Sequence, residues 1–455
     1  MHRTLGWVCA SLALALVLAT GPAAAGPDAD VTTVGGDQRD SFVRTSIEYR
    51  QSRETSQVVR EDVGAAGTDP LGAVPVRDDL DSEHVRHTVT PRLEAAVSRS
   101  LWMTLALPIV VSDTRTLSLH SGVDRASSTT LLDGFLPMAG YDADHPSTGF
   151  ADGDDRVFRG RQRRGLDQVL VGLGVTLMNQ RRDPHKPTWK VGAEAGIAVG
   201  KVARFDSMNP GGNEAVGRGV HEIHLFTTVA KRVSFVEPYF SLSWKAPVLV
   251  KDASLYQDLG YGSTNVLPPQ QAQLRFGIEA AALDRPARDL RIGVDLGTRL
   301  DARFEGRDYS ELWEVFALAG NANAANAPLV LDADPVTTGR QDLSHPGISN
   351  VENHLDLGAQ LAVRAQLGKN FQLAALAELV WKTDHAITFA DAGIDLPSCS
   401  AGQTAGCEVL NNDLIDAGTE EENPAFAPQV DLVGHRYRSV SGAGLVLGFM
   451  AQGSF

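Results

Sequence analysis

The sequence predicts an all-β fold, a transmembrane antiparallel up-and-down β-barrel of about 12 strands with long extracellular loops and short periplasmic turns. Segments of about ten residues alternate apolar and polar side chains, as barrel strands do between lipid and lumen. Short turns alternate along the chain with long polar segments. The 455-residue chain ends in a further alternating run, which stops at Phe455.

The N-terminus predicts export. Residues 1–3 supply positive charge, residues 5–18 are apolar but short for a bilayer span, and residues 23–25 are three alanines. This pattern predicts a signal peptide over 1–25, cleaved before a short periplasmic segment, 26–40, and the barrel domain, 41–455. A retained anchor helix is the alternative. Because the rest of the chain has no apolar run near the roughly 20 residues a membrane helix needs, we expect an outer-membrane location.

Strand positions follow from the alternation. The segment 353–367 shows it best, with Leu357, Leu361 and Val363 on the face expected to meet lipid and Gln360 on the other. Five hairpins of this kind supply ten strands, and one strand is added near each end of the barrel domain. The predicted strands are residues 41–50, 86–98, 101–111, 166–178, 188–200, 220–231, 234–245, 273–283, 290–301, 353–367, 371–382 and about 435–455.

Between the hairpins lie six long polar segments, expected to be extracellular loops. They are roughly residues 51–85, 112–165, 201–219, 246–270, 302–352 and 383–434. In one of them, residues 309–318 could form a short helix that packs Leu312, Trp313, Val315 and Phe316 over the barrel mouth. Because short turns of such barrels face the periplasm, both termini should be periplasmic and the strand number even.

Two cysteines remain after removal of the signal peptide, which contains Cys9. Cys399 and Cys407 lie close together in a polar segment, and an oxidising compartment favours a disulfide between them. Metal binding is the alternative. No histidine or third cysteine stands nearby with ligand spacing, so we expect a loop-stapling disulfide and no metal site.

The charge balance is acidic. The chain has 56 Asp and Glu against 41 Lys and Arg, a net charge of −15, which argues against a nucleic-acid partner. Many acids fall in predicted loops, such as Asp152, Asp154 and Asp155. A solvated loop surface is the simpler interpretation, and divalent cations bridging these loops to lipid phosphates are the alternative.

Strand parity predicts a charged lumen. The residues expected to face inward are Arg92, Glu94, Glu194, Glu222, Glu237, Arg275, Glu279, Arg291, Asp295, Arg299, Asp356, Arg364, Glu378, Lys382, Arg436 and Arg438. Their signs are mixed, whereas strongly selective pores favour rings of one sign. The lumen is therefore predicted to be either a weakly selective pore or an internal salt-bridge network that fills the barrel.

The end of the chain resembles the C-terminal signal by which outer-membrane barrels are recognised for assembly. Leu445, Leu447 and Phe449 alternate toward Phe455, although small residues occupy two later outward positions. The resemblance assigns Phe449 and Phe455 to an assembly signal. It implies the barrel assembly machinery and outer-membrane lipid as partners.

A narrower resemblance involves the segment 165–169, Gly172-Leu173, the segment 194–196 and Val199-Gly200. These residues are similar to a paired-strand pattern in transporter-like barrels of the MetA pathway of phenol degradation. The chain departs from the family where Gly-Asp and Pro-Thr-Gly are usual, and the resemblance covers roughly a tenth of its length. It implies passage of small compounds, including apolar ones, across the outer membrane.

Three functions stay open at this point. Passive or facilitated passage of an unknown small solute leads, followed by a structural or surface-interaction barrel with a plugged lumen and, third, a membrane-embedded hydrolase. A hydrolase needs an activated nucleophile with a base in reach. His221, His224, His354 and His435 have no serine in a recognisable nucleophile motif beside them, so we expect no enzyme and no cofactor.

Overall fold

The computed structural model describes residues 43–62, 74–205, 209, 212–252, 254–256, 267–332, 342–390 and 426–455. They form one closed barrel of twelve antiparallel strands, which confirms the predicted fold class. In chain order the barrel strands are β1 Val43–Glu61, β2 Val76–Ala96, β3 Leu101–Ala106 with Ile109–Leu119, β4 Arg163–Leu166 with Gln168–Met178, β5 Thr188–Ala198, β6 Val220–Ala230, β7 Val236–Val250, β8 Gln271–Arg285, β9 Leu290–Arg303, β10 His354–Leu367, β11 Phe371–Lys382 and β12 Tyr437–Ser454.

The barrel closes where the last strand pairs with both its predecessor and the first strand. β12 runs antiparallel to β11 and to β1, with Arg44 opposite Ser454. The amide of Val43 donates to the carbonyl of Phe455 at 3.1 Å, and the amide of Phe455 donates back at 2.8 Å. Closure pairs the strand edges, which a bilayer would otherwise leave without hydrogen-bond partners.

The outer surface of the barrel is apolar. Each of the twelve strands contributes at least one large apolar side chain that is exposed, among them Phe276, Leu296 and Trp381. The residues on either side of these three point inward and are buried or half-buried. This is the alternation expected of a wall with hydrocarbon outside and a polar interior. Among the described residues, no helix is both long and apolar enough to cross a bilayer.

The first two strands are longer than the sequence predicted. β1 and β2 pair from Val43 opposite Ala95 to Glu61 opposite Val76. The interpretation of residues 51–85 as one loop is therefore wrong for 51–61 and 76–85. These arms are mostly polar, so the lipid-facing alternation that marks a membrane strand is missing from them, although backbone pairing continues.

β3 is interrupted at Leu107 and Pro108. Proline has no amide hydrogen to donate to a neighbouring strand, and pairing with β2 changes register between Val110 opposite Thr88 and Ser112 opposite His87. The amide of Leu107 still donates to the carbonyl of Pro91 at 3.1 Å. The strand resumes at Ile109 and, like β1 and β2, extends past its predicted end.

The long loops fold into a cap over one end of the barrel. Its helices are α1 Thr129–Leu132, α2 Trp313–Ala319 and α3 Pro428–Asp431. A cluster of 20 buried apolar residues joins these helices to the ends of β1, β2 and β12, with Leu312, Val315 and Phe316 fully buried. The helix predicted over 309–318 is thus present as α2, and its apolar residues pack as expected.

The remaining elements are short. They are the strands Tyr141–Asp142, Arg156–Arg159, Gly306–Asp308, Leu331–Asp332, Asp342–Leu343, Ser349–Val351 and His385–Ala386, and the 3-10 turn Pro286–Arg288. All but the 3-10 turn belong to the loops at the cap end.

Candidate functional site: the barrel lumen

Below the cap, the barrel encloses a cavity of about 710 Å³. All twelve strands contribute to its wall, and Asp308, Tyr309, Ser310, Glu311 and Trp313 line it from the cap side. Ten Asp or Glu residues and ten Lys or Arg residues line the cavity, together with four histidines. A wall of this composition favours water over apolar contents.

Many charges of the wall are paired, some between neighbouring strands and others between strands that lie further apart around the barrel. Arg92 lies 3.2 Å from Glu194, and Lys245 lies 3.3 Å from Glu222. Nearer the cap, Arg303 lies 2.9 Å from Asp356. Further pairs join Lys382 to Glu54 and His84 to Asp113. Acids and bases therefore alternate around the wall rather than forming a ring of one sign.

The indole ring of Trp313 joins the cap to the wall. The guanidinium carbons of Arg163 and Arg115 lie 4.7 and 5.9 Å from the ring centre. Arg163 also forms a buried ion pair with Glu314 at 2.5 Å, and Arg115 donates to the carbonyl of Ser310 at 2.9 Å. Two wall arginines thus hold the start of α2 in place.

Glu311, the residue two before α2, forms a second link between cap and wall. Its carboxylate accepts hydrogen bonds from Ser439 at 2.9 Å and from Ser56 at 3.3 Å. Burial alone would raise the pKa of Glu311, but the nearby His385 and Lys382 side chains hold it below the usual value. The carboxylate is therefore charged at neutral pH and remains an acceptor.

Nearer the short turns, like charges lie side by side. Glu237 on β7 lies opposite Glu279 on β8, which lies opposite Asp295 on β9. All three are buried. Arg364 on β10 reaches across and lies 2.5 Å from Glu279 and 3.3 Å from Asp295. One cation from the next strand thus compensates carboxylates that would otherwise repel one another.

A pair of arginines lies next to these carboxylates, one layer nearer the cavity. Arg275 and Arg299 face each other in the β8–β9 register. Arg299 lies 2.8 Å from Glu378 of β11, and Arg275 donates to the side-chain oxygen of Gln360 at 2.7 Å. We call these pairs, with those around Arg364, the ion-pair layer. It consists of Arg275, Glu279, Asp295, Arg299, Gln360, Arg364 and Glu378.

Inward-facing glycines make room for this layer. A Cβ atom on Gly293 would lie 2.6 Å from the carboxylate of Glu279, and one on Gly297 would lie 2.6 Å from the hydroxyl of Tyr239. That hydroxyl donates to Asp295 at 2.9 Å. Tyr239 and these glycines are not among the lumen residues that strand parity predicts. The signal was present, since glycines alternate with charged residues on the inward positions of β8 and β9.

The predicted lumen residues divide into three groups. Six line the cavity: Arg92, Glu194, Glu222, Arg299, Asp356 and Lys382. Eight others are buried or partly buried on inward positions nearer the short turns: Glu94, Glu237, Arg275, Glu279, Arg291, Asp295, Arg364 and Glu378. Arg291 lies beside Asp284 at 3.5 Å, close to a short turn. Arg436 and Arg438 form the third group.

Arg436 and Arg438 lie at the cap end beside Glu61, at 2.8 and 3.7 Å. Neither lines the cavity, because a bulge at Ser441 interrupts the parity of β12. Ser441 has a φ of 53°, and here two residues of β12, Ser441 and Gly442, stand against a single residue of β1, Ser56. Beyond the bulge the buried positions are Tyr437 and Ser439, so the inward face has changed from even to odd numbers.

Other predicted site residues lie elsewhere. Phe449 and Phe455 are exposed on the outer surface. Cys399 and Cys407 lie outside the described residues, as does the predicted signal peptide, and the disulfide stays a prediction.

Three of the four histidines around the cavity, His84, His354 and His385, contact a carboxylate or a backbone carbonyl. The rings of His354 and His385 are stacked, with centres 3.9 Å apart, and each Nδ1 contacts a backbone carbonyl at 2.9 and 2.8 Å. A carbonyl only accepts, so each Nδ1 carries its hydrogen. Within the described part of the chain, no group of three or more His, Cys, Asp or Glu is arranged to hold a metal ion.

Comparisons with known proteins give a general likeness only. No protein-family model matches the chain, and no curated protein matches it. Among solved structures, a FadL homologue of Pseudomonas aeruginosa matches with a TM-score of 0.33, 8% identity and coverage of 93% of this chain and 92% of that one. An outer membrane channel from Pseudomonas putida F1 matches with a TM-score of 0.37, 7% identity and coverage of 92% of this chain and 96% of that one.

The outer membrane protease OmpT of Escherichia coli also matches, with a TM-score of 0.26, 6% identity and coverage of 91% of this chain and 97% of that one. At these scores the neighbours assign no function to this chain. The resemblance to barrels of the MetA pathway stays a prediction.

Proposed function

We propose that the protein is an outer-membrane channel for passive or facilitated passage of small polar solutes. The observation that carries the proposal is the cavity of about 710 Å³, whose wall contains paired charges from around the barrel. Charged side chains that face a lumen are stable there because water or an opposite charge compensates them. A hydrated chamber inside a closed barrel supports a solute path.

The balance of the wall supports weak charge selectivity. Ten acidic and ten basic residues line the cavity, and many of them are held in ion pairs with one another. Strong selectivity for one sign of ion needs rings of the opposite sign. Small neutral or zwitterionic solutes therefore fit the wall better than multivalent ions, for which one half of the charges would be repulsive.

A structural barrel with a plugged lumen is the second candidate, and two observations favour it. The cap packs 20 buried apolar residues over one end of the cavity. The ion-pair layer fills inward positions nearer the other end, where Glu279 and Asp295 are almost inaccessible. Passage needs a route past both, whereas a plug needs neither to move.

Planar-bilayer conductance of the purified barrel distinguishes the two functions. A channel gives ion current through the parent protein, and a plug gives none. Replacing Arg299 with Ser removes a positive group that lies 2.8 Å from Glu378 and lines the cavity. In a conducting barrel we expect the ion selectivity to shift toward cations. The shift should be largest at low salt, where screening is weak.

The matched control is Arg53→Ser, because Arg53 is exposed at the cap end and pairs with Glu83 away from the cavity. It should leave selectivity unchanged. A silent parent protein contradicts the channel proposal. A conducting parent whose selectivity is the same with and without Arg299 contradicts the assignment of the solute path to this cavity.

A further inference from the structure

The short-turn end of the barrel carries excess positive charge in an acidic protein. The stretches 97–100, 179–187, 231–235, 284–289 and 368–370 contain nine Lys or Arg residues and three Asp residues, in a chain of net charge −15. We call this surface the basic rim. The excess of six positive charges is concentrated at one end of the molecule, where the neighbouring strands bring the turns together.

Hydrogen bonds from turn to turn hold part of this rim without cancelling its charge. Arg182 donates to the hydroxyl of Ser100 at 3.1 Å, and Lys231 donates to the carbonyl of His185 at 2.6 Å. Hydroxyl and carbonyl acceptors are neutral, so the cations keep their field. The carboxylates of the rim compensate some others, as Asp284 does for Arg232 at 3.2 Å.

Apolar side chains surround the rim on its outer side. Phe235, Phe371 and Phe455 are exposed at this end of the barrel, together with Val97 and Val233. Aromatic side chains at the edge of an apolar belt mark the level of the lipid headgroups. The cations of the turns therefore lie where headgroup phosphates would lie in a bilayer.

We propose that the basic rim binds the phosphate groups of anionic phospholipids in the leaflet that the short turns face. The inference rests on the proposed membrane location of the barrel. Clustered Lys and Arg residues beside a membrane attract anionic headgroups by about fivefold in affinity per residue, and salt weakens the attraction. Zwitterionic lipids offer no net charge and are bound less.

The test uses the purified full-length barrel in micelles with equal amounts of phosphatidylglycerol and phosphatidylcholine. Native mass spectrometry then counts the lipids that the protein retains. We expect preferential retention of phosphatidylglycerol at low salt, which falls as salt is raised. In the triple variant Arg181→Gln, Arg288→Gln and Lys369→Gln, which changes exposed residues of three turns, the preference should fall at least about tenfold.

The control removes the same charge at the cap end. Arg53→Gln, Arg77→Gln and Arg164→Gln replace exposed arginines outside the basic rim, and the preference for phosphatidylglycerol should remain. Heat-modifiable migration in gels verifies that both triple variants keep the folded barrel. Equal loss in both variants would mean that total charge, not the rim, sets the preference, and the proposal would be overturned.

Two other results also overturn the proposal. One is a parent protein without preference for phosphatidylglycerol. The other is displacement of the lipid by inorganic phosphate at constant ionic strength, which would assign the rim to free phosphate. Because conductance is not measured, failure here leaves the channel proposal intact. A silent barrel that still prefers phosphatidylglycerol leaves the rim assignment intact.

Discussion

At the residue scale, the lumen shows that strand parity predicts which side chains face inward but not which of them pair. Because the predicted lumen residues of β8 and β9 have mixed signs, the simplest arrangement would place opposite charges side by side on these two strands. Instead, Glu279 lies opposite Asp295, and Arg275 lies opposite Arg299. Compensation comes from a third strand, through Arg364. Register between strands depends on turn length and bulges, so partners two strands away are not apparent from one segment.

Arg364 should accordingly be the residue of the ion-pair layer most sensitive to replacement. Arg364→Met leaves two buried carboxylates without the cation they share, and we expect the barrel to lose about 3 to 5 kcal/mol of stability. Denaturant unfolding in lipid vesicles measures the loss. The matched control is Arg53→Met, which breaks an exposed pair and should cost at most about 1 kcal/mol. Similar losses in both variants would contradict the buried role of Arg364.

The outer face offers a second test at the residue scale. Leu296 is 62% exposed on the lipid-facing side of β9, whereas Thr90 lines the cavity. Leu296→Arg should cost about 2 to 4 kcal/mol in a bilayer if the site is near its midplane, and Thr90→Arg should cost much less in a wet lumen. Folding into vesicles compares them. An equal cost would show that the face assignment of these strands is incorrect.

At the scale of elements, the strands that face lipid were predictable, and their irregular parts were not. β11 lies where the alternation placed it, at Phe371–Lys382. The arms of β1 and β2 have no lipid-facing row of apolar residues, and their few buried apolar residues, Val58, Val59 and Leu80, do not form an alternating pattern, so their sequence resembles a loop. The bulge at Ser441 is another irregularity that alternation does not predict. One inserted residue reverses the face of Arg436 and Arg438, and no pattern in the sequence reveals it.

The cap helix α3 provides a pH-dependent test. Burial raises the pKa of Asp431 to about 7 from an ordinary value of 3.8. Between these values the folded cap holds a proton that the unfolded segment has lost, so stability should fall as pH rises from about 4 to about 7. Asp431→Asn does not titrate and should flatten this profile. The exposed Asp152→Asn should leave the profile of the parent protein unchanged.

Hydrogen exchange measures this opening directly. The amides of Val430 and Asp431 both donate to the carbonyl of Ala427 at 2.9 Å, so their exchange reports the unfolding of α3. Rates are corrected for the intrinsic pH dependence of exchange before comparison. Protection that stays constant across this pH range in the parent protein would show that Asp431 keeps its ordinary pKa in the cap.

At the scale of the whole molecule, polar and apolar interiors are stacked along one axis. The barrel encloses a charged chamber, and the cap above it has the apolar core of a small soluble domain. The sequence predicted the charged lumen and the helix over the mouth, since both have local patterns. The rest of the cap core was not predictable, because it joins residues as distant as Leu131, Phe316 and Tyr437, which no local periodicity relates.

The strand pair that closes the whole barrel ends at Phe455. The resemblance of the C-terminal strand to an assembly signal predicts that the Phe455 side chain acts during assembly rather than in the finished fold. The ring is 73% exposed, while the backbone of the residue pairs with Val43 whatever the side chain is. Phe455→Ala should therefore refold in vesicles like the parent protein but reach the outer membrane of cells in clearly lower yield.

Phe235, which is 63% exposed at another turn of the same end, provides the matched control. Phe235→Ala removes a similar ring from the lipid interface without touching the chain end, so its yield in cells should stay close to that of the parent protein. Equal yields for the two variants would remove the case for an assembly signal at Phe455, and a refolding defect confined to Phe455→Ala would assign the ring to stability of the closing strand pair instead.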